Sequence, residues 1–384
     1  MKKICFIANR YPTDEYPVNT FLDQLVCEMA DQGIECTVIA PYSRIYDRLK
    51  RFNYHPQDHY VRQTSKGSKT HVYCPTIFAL SGKRTRLFDF AASYQLSFTQ
   101  AVRRTIEKHA LTFDAFYGHF ITPGGFAAID MGCLFEKPSF IAYGESSIKQ
   151  DTTQFTLETI RKKLSSVQGI VSVSTKNKEE LIDLGLVPAE KIGVFPNAIS
   201  TDSFYQIDRM EARKRLGMDQ NQFIIAFVGQ FIDRKGCLRV ADAVSRVDGV
   251  FSLFIGAGEQ DPQCPGILFK GRLPHKDIVT YLNAANAFVL PTKAEGCCNA
   301  IVEAMACGLP VISSDLPFND DILDESNSIR ICPTDVDGLA QAIRTLKENR
   351  SLRERLSEGA LLTSHSLTIG TRTTKIRAFM EGKL

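Results

Sequence analysis

The sequence predicts an α/β protein of two doubly wound, Rossmann-like domains facing across a cleft. Three observations carry that expectation. At 384 residues the chain is too long for one ordinary hydrophobic core. Short apolar runs alternate with segments of helical spacing along the whole length, the pattern of βαβ units built on parallel sheets. A polar stretch from Ser200 to Asp208 separates two such series. The expected division is 1–200, 201–365 and a terminal segment, 366–384.

The first series begins with Lys3 to Ala8, whose short apolar run ended by Asn9-Arg10 reads as a buried strand and not as a secretory leader. Thr20 to Asp31 places Phe21, Leu22, Leu25, Val26 and Met29 on one helical face, Gly33 ends it, and Glu35 to Pro41 is the next strand. Strands are expected at Thr70–Tyr73 and Ala115–Tyr117. A Pro-Gly-Gly loop then runs from His119 to Phe126 into a helix from Ala127 to Leu134. Strand Ser139–Tyr143, helix Leu157–Leu164, strand Gly169–Ser174, helix Asn177–Leu184 and strand Lys191–Asn197 complete the series.

The second series opens on the apolar run Ile224–Val228, followed by a glycine-bearing loop to Gly236 and a helix through Val244. Strands Val250–Ile255, Ile267–Phe269 and Ala287–Leu290, a helix from Pro274 to Ala284 and terminal helices Val336–Asn349 and Leu352–Leu361 follow. Ligands of such sheets bind at the carboxyl ends of the strands, so the loops after these strands are the places to look for chemistry.

Composition narrows the classes. Hydrophobic content of 44% and charged content of 23% suit a soluble globular protein, and no apolar run reaches the roughly 20 residues that span a bilayer. The odd count of eleven cysteines, several within apolar runs, fits a reducing cytoplasm without disulfides. Cys297-Cys298 is adjacent, with no second pair to complete a zinc site. Net charge is only +3, yet Arg44 to Lys108 holds thirteen Lys/Arg against four Asp/Glu. The stretches Arg44–Phe52 and Lys83–Phe90 interleave bases with apolar groups, which suits either an anionic membrane surface or phosphorylated acceptor, or a solvated basic face.

The most informative stretch is Glu295 to Asp315, EGCCNAIVEAMACGLPVISSD. Asn299 is a good N-cap, Ala300–Ala306 is helix-compatible, and Gly308 with Pro310 is a stop. Unpaired amides around Gly296, Cys297, Cys298 and Asn299 would form a phosphate site. Glu303, a turn inside, could accept hydrogen bonds from a ribose diol, and Glu295 from a sugar. Alone, the stretch equally suits an ordinary helix–strand unit with two solvated glutamates. Arg234 and Lys235, on the loop opened by Gly229, are placed to neutralise a diphosphate. Gly256-x-Gly258 permits close backbone approach. Together these suit a nucleoside diphosphate carrying a sugar, with cationic side chains in place of a metal.

These motifs resemble those of glycosyltransferase family 4, the retaining, nucleotide-sugar-dependent enzymes of GT-B fold. The resemblance spans nearly the whole chain: E-x7-E from Glu295 to Glu303 with the following AMACGLPVISSD, Phe227-Val-Gly229 with Lys235-Gly236, Gly256-x-Gly258, Phe269–Leu273, Val194–Asn197, and His119 in His-Phe-Ile-Thr-Pro-Gly-Gly. It departs at Gln230, where the family usually carries arginine after the glycine, and at Val18-Asn19, Tyr143-Gly144 and Asn197-Ala198. The resemblance implies that Glu303 binds the ribose, Glu295 the donor sugar, the amides of Gly296 to Asn299 the diphosphate, and that Arg234 and Lys235 neutralise it. It implies that His119 hydrogen-bonds the sugar near the reacting carbon, against the ordinary alternative of a satisfied core histidine. Gly229, Gly256 and Gly258 would line the donor side, and Asn19, Gly124 and Gly125 the acceptor side.

The function so implied is metal-independent, retaining transfer of a sugar from a nucleotide-sugar to a lipid-linked or polysaccharide acceptor, in bacterial surface-polysaccharide assembly. The nucleotide-sugar is a substrate, no cofactor or metal is expected, and no nucleic acid partner. The setting is cytoplasmic, peripheral on the inner membrane face through the basic N-terminal domain. A GT-B sugar-nucleotide epimerase or hydrolase, and a non-catalytic nucleotide-sugar-binding subunit, are the rival readings. By analogy with the fold, the segment around Ile376–Met380 returns to the first domain.

Overall fold

A computed structural model describes residues 1–13, 16, 19–49, 54–79 and 89–384. The chain forms two compact units, Met1–Phe195 joined by Thr373–Leu384, and Pro196–Arg372. The division therefore falls just ahead of the expected one at 200, and the return at Thr373 instead of 366.

In the first unit the strands are β1 (Lys3–Ile7), β2 (Glu35–Ile39), β3 (His59–Gln63), β4 (Lys69–Tyr73), β5 (Ala115–His119), β6 (Ser139–Tyr143), β7 (Gly169–Ser172) and β8 (Ile192–Val194). They form one sheet in the order β3-β4-β2-β1-β5-β6-β7-β8, parallel except for β3 against β4. Its helices are α1 (Thr20–Asp31), α2 (Arg44–Leu49), α3 (Phe90–Lys108), α4 (Phe126–Phe135), α5 (Lys149–Thr152), α6 (Leu157–Leu164) and α7 (Thr175–Asp183). The inner strands are apolar on both faces because helices cover both. Residues of β1 alternate between two cores: Ile4 and Phe6 pack with α1, while Cys5 and Ile7 pack with the apolar face of α3.

The second unit carries β9 (Phe223–Val228), β10 (Val250–Ile255), β11 (Ile267–Gly271), β12 (Ala287–Leu290), β13 (Val311–Ser314) and β14 (Ser328–Ile331). Its sheet is wholly parallel, in the order β11-β10-β9-β12-β13-β14. The helices are α8 (Arg209–Leu216), α9 (Cys237–Ser245), α10 (His275–Ala284), α11 (Asn299–Ala306), α12 (Val336–Glu348) and α13 (Arg350–Ser366). Every residue of β9, FIIAFV, is buried, as a central strand between two helical layers requires. A last helix, α14 (Ile369–Glu381), carries the chain back to the first unit, where Ile376 and Met380 enter the β1–α1 core.

Strand order reverses between β1 and β5 in the first unit and between β9 and β12 in the second. At such a switch point adjacent crossovers go to opposite faces and leave a crevice at the strands' carboxyl ends. The chain leaving β1, the turn Phe120–Gly125, residues 229–236 and residues 291–298 all emerge at these two places.

One buried polar cluster in the first unit is unusual. Thr122 donates its hydroxyl to Asp151 Oδ1 at 2.6 Å. Glu145 Oε2 and Asp151 Oδ2 are buried and find no donor. Burial, then the neighbouring Asp151, pushes Glu145 up to about 9, and burial also raises Asp151. The folded chain thus holds a proton that the unfolded chain releases, so the pair's stabilisation is complete below the ordinary carboxyl range and is lost as pH rises toward that raised value. Glu145→Gln, which keeps a donor and removes the titration, should flatten the fall in thermal midpoint between about pH 6 and pH 9. An unaltered slope would show that no such proton is held.

Candidate functional site

At the second switch point two loops are laced together. Lys293 N–H donates to the Arg234 carbonyl at 2.8 Å, Arg234 Nη1 to the Ala294 carbonyl at 2.6 Å, and Arg239 to the Pro291 carbonyl at 2.9 Å. Asp233 pairs with both Arg239 and Lys293. This lacing brings Arg234 Nη1 to 2.9 Å and Lys235 Nζ to 2.6 Å from Glu295 Oε1, which also accepts from the fully buried Thr292 hydroxyl at 2.8 Å. The Glu295 and Lys235 side chains are only 12% and 13% exposed. Burial alone would depress the Lys235 ammonium, but the surrounding negative potential more than offsets it and its pKa is raised. Glu295 supplies that potential at neutral pH, because burial pushes the adjacent Cys298 thiol up and keeps it neutral.

Residues 295–298 lead into α11. The amides of Gly296, Cys297 and Cys298 find no backbone acceptor among the described residues, as a helix entry leaves them. Cys298, not Asn299, is the N-cap, and Asn299 is the first helical residue. The reason is Asn197: its side-chain amide donates to Asn299 Oδ1 at 2.7 Å and to the Cys297 carbonyl at 3.0 Å, so Asn299 cannot turn back to cap its own helix. Asn197 N–H also donates to Cys297 Sγ at 3.3 Å, which gives that sulfur an anchoring role invisible in the sequence. The helix ends as expected: Gly308 at φ +74° and Leu309 donate to the Met305 and Ala304 carbonyls, a Schellman stop. Glu303, a turn inside α11, accepts from His275 Nε2 at 3.1 Å.

Gly256 and Gly258 have a reason independent of any ligand. A Cβ at Gly256 would collide with the Gly229 carbonyl, and one at Gly258 with the Phe231 carbonyl. The loop after β10 is pressed onto the loop after β9 and bonded to it through Phe231 N–H to the Ala257 carbonyl at 3.0 Å. Gly229 sits where that contact begins. The Gln230 side chain is exposed, while Arg234 and Lys235 are the cations turned toward Glu295.

At the first switch point His119 ends β5. It is 7% exposed and packs against Phe21 and Phe120, with ring centroids at 5.0 and 4.3 Å. Gly124 and Gly125 let the following turn fold onto the strands: a Cβ on Gly124 would lie 2.6 Å from the Ile7 carbonyl, and one on Gly125 2.6 Å from the Phe120 carbonyl. Three non-glycine residues at this crevice, Arg10, Asn19 and Phe120, hold left-handed backbone at φ 77°, 53° and 63°. Asn19 secures its own by donating to the Arg10 carbonyl at 3.0 Å. Strained backbone gathered at one crevice is characteristic of functional loops. Val18, Lys50–Phe52 and Lys83–Phe88 lie outside the described residues, and with them the end of the first basic stretch and most of the second; Arg44–Leu49 is the helix α2. Among the described residues no three His, Cys, Asp or Glu converge as a metal group, and no helix is long and apolar enough to cross a membrane.

Of the motif residues Glu295, Glu303, Arg234 and Lys235, the structure brings the first, third and fourth together. Thr292 and His275 are announced by no spacing and meet their partners through folding, and Asn197, the end of the Val194–Asn197 match, gains its role at Cys297 and Asn299 only in the fold.

The fold and this charged crevice define a glycosyltransferase of the GT-B class. The profile described as Glycosyltransferase Family 4 matches residues 18–203, and the one described as Glycosyl transferases group 1 matches residues 208–362. The chain belongs to glycosyltransferase family 4. It is 26% identical over 354 residues to TuaC of Bacillus subtilis, a glycosyltransferase assigned to teichuronic acid biosynthesis, covering 89% of this chain and 88% of that one. It is 28% identical over 202 residues to the UDP-Gal:alpha-D-GlcNAc-diphosphoundecaprenol alpha-1,3-galactosyltransferase of Escherichia coli, covering 48% of this chain and 52% of that one. Anabaena HepE in complex with UDP-glucose shares the fold, with a TM-score of 0.73, 18% identity and full coverage of both chains.

The Lys235–Glu295 contact should show strong coupling, because removing either partner strands the other's charge in a nearly buried place. In a cycle of Lys235→Met, Glu295→Gln and the double variant, a coupling of about 1–3 kcal/mol is expected from the shift in denaturant midpoint. Additive effects would show that the pair is solvent-screened.

Proposed function

We propose that this chain transfers a sugar, with retention of anomeric configuration and without a metal ion, from a nucleotide-sugar to a lipid-linked or glycan acceptor in bacterial surface-polysaccharide assembly. The observation that carries this reading is the convergence of Arg234 and Lys235 on Glu295 beside the N-terminus of α11. A diphosphate arriving there would meet two cations and the unpaired amides of residues 296–298. Glu295 would take sugar hydroxyls and Glu303 the ribose diol. Gly229, Gly256 and Gly258 shape the loops of this donor unit.

His119, with Asn19, Gly124 and Gly125, would form the acceptor-side crevice of the first unit. The bond from the anomeric carbon to the diphosphate breaks as the acceptor oxygen forms a new one on the same face. The acceptor proton passes to the departing phosphate. Arg234, Lys235 and the helix terminus carry the charge that develops on the leaving group, the part a metal plays elsewhere. The relatives support the setting: one is assigned to teichuronic acid biosynthesis, and the name of another specifies a diphosphoundecaprenol-linked acceptor. The complex of HepE with UDP-glucose supports a nucleotide-sugar donor. Cytoplasmic location, on the inner membrane face, follows from such substrates.

The test is release of nucleoside diphosphate from a panel of nucleotide-sugars, with and without a diphosphate-lipid-linked sugar. Release should depend on the acceptor, the product should keep the donor's anomeric configuration by NMR, and added chelator should not slow it. Glu295→Gln should lower kcat/KM by about 100-fold or more, the scale of losing one preorganised stabiliser. Acceptor-independent turnover would favour an epimerase or hydrolase. Donor binding without turnover, indifferent to Glu295→Gln, would favour a binding subunit.

A further inference from the structure

We propose that His275 is a positioning residue for Glu303 and makes capture of the nucleotide-sugar dependent on a proton. The inference rests on the reading of Glu303 as the ribose ligand. His275 opens α10, twenty-eight residues before Glu303 in sequence, yet its Nε2 stands 3.1 Å from Glu303 Oε1. The imidazole also packs against Phe204, edge-on with ring centroids 5.1 Å apart. Glu303 is only 13% exposed, whereas His275 is 53% exposed. Among the described residues no other hydrogen bond reaches the Glu303 side chain. One oxygen is therefore fixed by the imidazole, and the other remains to accept from a ligand.

The chemistry of this contact follows from which nitrogen bears the proton. Nε2 faces a carboxylate, so it keeps its hydrogen in both charge states, and titration occurs at Nδ1. Neutral His275 orients Glu303 and leaves its full negative charge available to a diol. Protonated His275 converts the contact to an ion pair, which competes with sugar hydroxyls for the same carboxylate. The hydrogen bond to Glu303 raises His275 above its ordinary value near 6.5, although partial burial opposes this.

Other charges do not confuse the assignment. On its own helix Lys276 and Asp277 follow directly, and Arg272 precedes the helix. From α8, Arg209 and Arg213 reach the Ala285 and Ala284 carbonyls at the far end of α10. On α11 the charged residue is Glu303 itself, and Cys307 beyond it is a thiol pushed up by burial, hence neutral. The ion pair is complete at acidic pH and disappears as pH rises through the raised His275 value. Donor affinity should therefore fall as pH falls.

The experiment measures Kd calorimetrically for UDP-glucose and for GDP-mannose at about pH 6 and pH 8, with KM and kcat for whichever is turned over. The wild type should bind about three- to tenfold more weakly at the lower pH, the scale of losing one hydrogen bond. His275→Ala should bind about fivefold or more weakly at the higher pH and show little pH dependence. His275→Gln, which keeps an N–H donor without the titration, should recover most of that affinity and also lack the acid weakening. The changes should fall on KM and leave kcat within about twofold.

Comparing variants cancels any titration of the ligand. Persistence of the wild-type pH dependence in His275→Gln, or wild-type binding by His275→Ala, would overturn the inference. Glu303→Gln separates the two levels. If it binds as tightly as the wild type, the ribose reading itself fails. If it binds weakly while the His275 variants are neutral, only the positioning role fails. Binding of neither probe by the wild type would overturn both.

Discussion

The Glu295 carboxylate is the constraint around which the second unit's crevice is built. An anion this deeply enclosed has to be compensated where it stands, and the compensation comes from Arg234, Lys235 and Thr292 together. Those groups lie on two loops from different strands, so the carboxylate can be satisfied only if the loops are laced side by side. The lacing through Arg234, Lys293, Asp233 and Arg239 does this without a ligand. Two cations are thereby fixed beside a helix N-terminus by the chain's own contacts. Preorganised charge of this kind needs no reorganisation when new charge develops, which is the main source of electrostatic catalysis.

The same topology recurs in the first unit with a different filling. There too the strand order reverses beside the first strand, and loops leave at the reversal. What gathers is backbone strain and aromatic packing beside the buried Arg10–Asp47 ion pair: left-handed Arg10, Asn19 and Phe120, with the His119 ring set against Phe21 and Phe120. Two glycines press the turn after β5 against β1.

Much of the architecture was legible before folding. The buried strands announced themselves as continuous apolar runs, and several elements, such as Thr20–Asp31, Ser139–Tyr143, Leu157–Leu164, Val250–Ile255 and Ala287–Leu290, lie within the expected bounds. The elements that escaped are those with weaker patterns. The strands His59–Gln63 and Ser328–Ile331 lie at sheet edges, and their mixed polar sequences reflect partial exposure. The long helix Phe90–Lys108 has a modest apolar stripe interrupted by polar residues, among them Gln95, whose amide is used inside the fold to hold the Pro123 carbonyl.

By itself the sequence determined the fold class, the alternation of strands and helices, the family, and the residues Glu295, Glu303, Arg234 and Lys235 as a set, because periodicity and short motifs are local properties of the chain. Only the tertiary structure decided how those residues are used. It turned the Arg234–Lys235 pair onto Glu295, replaced the expected Asn299 cap by Cys298 through Asn197, explained Gly256 and Gly258 by the chain's own carbonyls, and set His275 against Glu303. Each of these meetings joins loops or helices from different βα units. Their distances are set by strand order and crossover direction, which no local spacing in the sequence encodes.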